Sequence, residues 1–156
     1  KGICGISNAK LMALKVFNSA GTSYDSAIIA AFNYIYKAQT LGANIAAINC
    51  SWGGGGSSST SMKTLINQIG QNGSLFLFAA GNDGEDHNNA ISDGCPYDLD
   101  SPYVVTVGAS TQTDKKASFS DYGNKTVHLF APGRNIFSTI NSDVFYPSVY
   151  TDSMRS

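Results

Sequence analysis

At 156 residues the chain is long enough for one domain with a core of its own, and its 42% apolar content fits a globular protein. Charged residues make up only 13% and the formal net charge is -1, which gives no electrostatic basis for a nucleic-acid or anionic-membrane partner. No apolar run approaches the roughly 20 residues of a membrane span.

The surface is therefore expected to be rich in Ser, Thr, Asn and Gly. The cysteines, Cys4, Cys50 and Cys95, are odd in number and contain no C-x-x-C pair, so neither a disulfide framework nor a zinc site is indicated. Cys50 lies in an apolar run and reads as a small core residue, while a Cys4–Cys95 bridge stays open. The chain opens at Lys1 and shows no signal peptide, which suggests an internal piece of a longer protein.

In chain order, Lys10–Val16 has the length and apolar content of a strand. Thr22 or Ser23 can cap a helix in which Ile28, Phe32, Ile35 and Tyr36 recur at helical spacing, and Gly42 fits its end. Ile45–Cys50 reads as a buried strand, followed by a Gly/Ser run over Gly53–Ser61. Met62, Leu65, Ile66 and Ile69 mark one face of a second helix, closed by Gly73. Leu75–Ala80 and Tyr103–Val107 are further strands, with Val127–Phe130 and Ile136–Ser138 as shorter ones. Strands alternating with helices predict an α/β fold, a parallel sheet covered by helices on its faces.

In such sheets the ligand site lies at the carboxyl ends of the strands, here at Ser51–Gly56 and Gly81–Gly84. Both loops are glycine-rich, so a ligand could approach the main chain closely, either a phosphate on backbone N–H groups or an extended peptide. The phosphate reading is weak. Gly53-Gly54-Gly55-Gly56-Ser57 is not a P-loop, and no acidic residue ends the next strand to hold a ribose.

Five segments, in order, resemble those of the subtilases. They are the strand segment Asn8–Val16, Asn49-Cys50-Ser51-Trp52-Gly53-Gly54, Ala79-Ala80-Gly81-Asn82-Asp83-Gly84, Ala117-Ser118-Phe119-Ser120-Asp121-Tyr122-Gly123, and Ala131-Pro132-Gly133 with Ser138-Thr139. The resemblance implies the three-layer subtilisin-like fold, with a parallel sheet sandwiched by helices, and a serine endopeptidase that works through an acyl-enzyme. It implies that Asn82 donates a side-chain N–H to the oxyanion, a role suited to a neutral carboxamide with two donors. Without the resemblance, Asn82 reads as a turn residue. Ser51, Trp52 and Gly53 would form one wall of the substrate pocket, with Ala80 and Gly81 beside them. Asp83 would be either an acidic neighbour of that pocket or a solvated turn residue.

Ser153, in Tyr150-Thr151-Asp152-Ser153-Met154-Arg155-Ser156, falls where the family places its nucleophile within G-T-S-M-A. Met154 agrees, whereas Thr151, Asp152 and Arg155 replace Gly, Thr and Ala. The family's catalytic Asp and His segments, and the helix after the nucleophile, have no match here, so residues 1–156 read as a partial catalytic domain, incomplete at both ends and inactive alone. His87, in the polar stretch Asp83–Asn89, is expected in an exposed loop, and His128 in a short strand. Neither matches a triad position. Another reading is a non-catalytic, subtilase-like peptide-binding domain or truncated pseudoprotease.

No cofactor is called for. Calcium could sit among Asp83, Glu85, Asp86, Asp93, Asp98 and Asp100, although the spacing favours a solvated acidic face. The implied partner is a polypeptide substrate, with a prodomain or a protease inhibitor as further candidates. The family likeness points to a secreted or vesicular setting.

Overall fold

The computed structural model describes residues 7–53, 60–88 and 101–136. Their elements, in chain order, are α1 (Asp25–Thr40), β1 (Ala47–Cys50), α2 (Thr60–Gln71), β2 (Leu75–Ala79), β3 (Val104–Ser110) and β4 (Leu129–Pro132). The four strands pair in the order β1-β2-β3-β4, all parallel. The α/β class and the parallel sheet are therefore as the sequence predicts.

The core lies between the helices and one face of the sheet. Ile28, Phe32 and Ile35 of α1 and Met62, Leu65, Ile66 and Ile69 of α2 are buried together with Cys50, Phe76, Phe78 and Val104. The alternation along β2, with Phe76 and Phe78 buried, turns these residues toward the helices and Leu75 and Leu77 the other way. Phe76 meets Phe32 edge-on at 5.1 Å between ring centroids, the geometry that aromatic quadrupoles favour. Both helices stop at glycines with positive φ. After α1, the Gly42 N–H (φ 93) donates to the Gln39 carbonyl and the Ala43 N–H to the Ala38 carbonyl. That is the paired closure by which a left-handed residue satisfies a helix's last carbonyls.

Several expectations are corrected. Lys10–Val16 makes no strand pairing among the described residues. Leu14 and Val16 lean on the core with Lys15 pointing out, so the alternation is real, but side-chain burial alone forms no ladder. Neither Thr22 nor Ser23 caps α1. The cap position is Tyr24, and the Ser23 hydroxyl donates instead to the Val16 carbonyl at 2.8 Å. β3 runs on through Gly108 and Ala109, residues that read as a strand's end. Gly108 is required there because a side chain would overlap the Phe130 ring, with Cζ 3.0 Å from its Cβ. β4 starts later than Val127, because the Thr106 N–H is taken by His128 Nδ1 at 3.0 Å rather than by a backbone carbonyl. Ile136 is outside any strand, and 137–138 lie outside the described residues.

Candidate active site

Because all four strands are parallel, their carboxyl ends share one edge of the sheet. A crevice of about 410 Å³ opens there, lined by Ser51 after β1, Ala80, Gly81 and Asn82 after β2, and Phe119 and Gly133 among others. The two loops singled out in the sequence thus meet at one place. None of the described residues lining the crevice is charged. Its polar groups are neutral: the Ser51 hydroxyl, which exchanges hydrogen bonds with the Asn49 carboxamide, and the exposed Asn82 side chain.

The remaining sequence candidates are distributed around this crevice. Ala80 is buried and anchored by its N–H to the Val107 carbonyl at 2.9 Å. Trp52 turns to the helix side, 5.5 Å from Phe78 and 6.4 Å from Phe32 between centroids, and does not line the crevice. Gly53 and Asp83 are exposed just beyond the lining. Asn82 does not have the left-handed backbone of a turn asparagine, since its loop's positive φ values belong to Gly81 (119) and Gly84 (74). Ser153, Met154, Arg155, Cys4, Cys95, Gly54–Gly56, Asp93, Asp98, Asp100 and Ser138-Thr139 lie outside the described residues.

Beneath the loop is a pair that sequence reasoning missed. His87 is not in an exposed loop; it is buried, 5% exposed, and its Nε2 lies 3.1 Å from Asp121 Oδ2. A carboxylate only accepts, so the ring donates from Nε2. Asp121 Oδ1 accepts the N–H of Asp83 at 2.8 Å and of Glu85 at 3.0 Å, and the Asp121 N–H donates to the Gly81 carbonyl at 3.2 Å. Around these bonds 84–87 and 119–122 form a short ladder. Gly84 N–H donates to Phe119 O, Tyr122 N–H to Glu85 O and His87 N–H to Tyr122 O. The partners are 34 residues apart, and the only hint in the sequence is that Asp121 stands within a family-like segment.

Burial pushes the Asp121 carboxyl up, but the N–H of Glu85, the His87 ring and the N–H of Asp83 together pull it further down, and it ends below its ordinary value. The stabilisation is thus fully present above the ordinary carboxylate value, about 3.9, and is lost as pH falls through the lower folded value. The other ionisable groups nearby are His87, the exposed side chains of Asp83, Glu85 and Asp86, and Lys116, whose ammonium bonds the Ala117 and Ser120 carbonyls and lies over the Tyr122 ring. Denaturant melts across pH are expected to show an acid loss of stability below about pH 4 that D121N flattens. An equal acid loss in D121N would show that other carboxylates dominate.

Among the described residues no three His, Cys, Asp or Glu side chains gather to hold a metal ion. Of the acids considered for calcium, Asp83, Glu85 and Asp86 are exposed, and Asp86 Oδ1 accepts the Asn88 N–H. No helix among the described residues is long and apolar enough to cross a membrane.

Comparison with known proteins places this geometry among relatives. The sequence model of the subtilase family matches residues 2–155. Subtilisin-like protease 1 of Arthroderma otae is 41% identical over 133 residues, covering 84% of this chain and 26% of that protein. Its counterpart in Arthroderma gypseum is 38% identical over 132 residues, covering 83% and 26%. The crystal structure of a cold adapted subtilisin-like serine proteinase superposes with a TM-score of 0.63 at 32% identity, covering 80% of this chain and 41% of that one. The chain thus spans well under half the length of these relatives.

Proposed function

Because this chain belongs to the subtilase family, we propose that the protein is a serine endopeptidase and that these residues supply its oxyanion donor and part of its substrate cleft. The observation that carries the reading is the meeting of Ser51 and Asn82 on one uncharged crevice at the sheet's carboxyl edge. A polypeptide lies extended along the Ser51–Gly53 backbone. Ser153 attacks the scissile carbonyl as a base that the described residues do not supply takes its hydroxyl proton and passes it to the departing amine, and the oxygen that becomes negative receives the Asn82 carboxamide N–H. Among the described lining residues no charge competes with that donor for the tetrahedral intermediate. Expulsion of the amine leaves an acyl-enzyme that water hydrolyses. A prodomain or an inhibitor would occupy the same cleft.

The base is assigned to neither His87 nor His128. His87 is bonded to Asp121 beneath the loop, and His128 accepts the Thr106 N–H. A serine without a base is a weak nucleophile, so the 156-residue polypeptide alone is expected to remain unlabelled by a serine-directed phosphonate. The product of the complete open reading frame is expected to be labelled at Ser153. Absence of label in both proteins would overturn the protease reading, and label in the short polypeptide would overturn the assignment of the base.

A further inference from the structure

Asn82 is bracketed by bonds to one residue. On its amino side the Gly81 carbonyl takes the Asp121 N–H; on its carboxyl side the Asp83 N–H goes to Asp121 Oδ1, which also holds the Glu85 N–H. Both oxygens of the carboxylate are used, the second by the buried His87 ring. Asp121 is itself 2% exposed, and it follows Ser120, whose hydroxyl accepts the Ala109 N–H at 2.8 Å and so fixes the segment to β3. The donor loop is therefore tied through Asp121 to the sheet rather than only to its own neighbours. A carboxylate suits the task because it accepts from two main-chain N–H groups at once with charge-assisted strength.

We propose that Asp121, backed by His87, is the positioning residue for the oxyanion donor: it touches no substrate, and its carboxylate sets the Gly81–His87 loop so that Asn82 faces the crevice. This rests on the protease reading above. Hydrogen bonds to an oxyanion lose their effect with small displacements, so loosening the loop should lower kcat more than it raises KM.

The test combines amide hydrogen exchange with steady-state kinetics on the product of the complete open reading frame. In D121A, protection at the Asp83 and Glu85 amides is expected to fall by about tenfold or more. There kcat should fall about tenfold, with KM changed less than about threefold. D121N keeps an Oδ1 acceptor, and its Nδ2 can donate to His87 Nε2 once the ring carries its proton on Nδ1, so it is expected to restore most of both at neutral pH. Unchanged protection in D121A overturns the proposal, and so does lost protection with an unchanged kcat. If D121A does not fold, D121N decides: protection at Asp83 and Glu85 should collapse in the wild type as pH falls through the lowered folded value of the Asp121 carboxyl, and persist in D121N. Equal collapse in both overturns the inference. A wild type with no turnover on any peptide would sink the protease reading, while the exchange data would still decide whether Asp121 holds the loop.

Discussion

Replacing Asn82 by alanine is expected to lower kcat of the complete gene product by about a hundred- to a thousandfold, the loss already measured for the matching donor in a subtilisin. KM should move little, because the oxyanion forms only after binding. The side chain is exposed on the crevice and carries no described bond that holds the loop, so removal should leave the fold intact. N82D is the sharper variant. It keeps the shape, replaces donors by a charge of the wrong sign, and should be at least as slow as N82A. Kinetics on a chromogenic peptide, with circular dichroism to check folding, read both variants. A loss in kcat below about threefold would make Asn82 a turn residue and no more.

Gly81→Ala is expected to cost about 3 kcal/mol or more of stability, through two effects at one atom. At φ 119 an L side chain is strained, and a Cβ there would overlap the Asp121 carboxyl, 2.9 Å from its Cγ. Gly73→Ala is the nearer control. Gly73 has φ 99 and nothing within 4 Å of a built Cβ, so that variant should lose about 1–2 kcal/mol from backbone strain without the overlap. Denaturant melts give the difference. Equal losses would mean that the carboxyl does not press on Gly81.

What could be read from the sequence was what rests on local rules. Met62, Leu65, Ile66 and Ile69 recur at helical spacing, and all four are buried on α2. Leu75–Ala79 is a continuous apolar run between glycine signals and forms β2. The glycine loops after β1 and β2 gave the place of the crevice from strand direction alone. What could not be read depends on contacts distant in sequence. His87 stands among acidic and amide residues and so reads as solvated; its burial comes from residues 119–122 folding over it. The strand read as Tyr103–Val107 in fact continues through Gly108 to Ser110, where the Phe130 ring lies against Gly108. Lys10–Val16 has the apolar content of a strand, and no rule of composition says whether a backbone partner stands beside it.

The ladder between 84–87 and 119–122 also bears on the order in which the chain acquires its parts. His87 and Asp121 are 34 residues apart, with β3 between them, so the bonds between 81–87 and 119–122 form only once a loop of that length has closed. β2 must first align with β3, and the chain must then double back through Ala117 and Ser120 before Asp121 arrives under Gly81. In refolding, the Asp83 and Glu85 amides are expected to gain hydrogen-exchange protection after those of the helices and inner strands, because their acceptor is distant in sequence. Until residues 119–122 dock, the Gly81–His87 segment lacks the bonds that Asp121 supplies on both sides of Asn82.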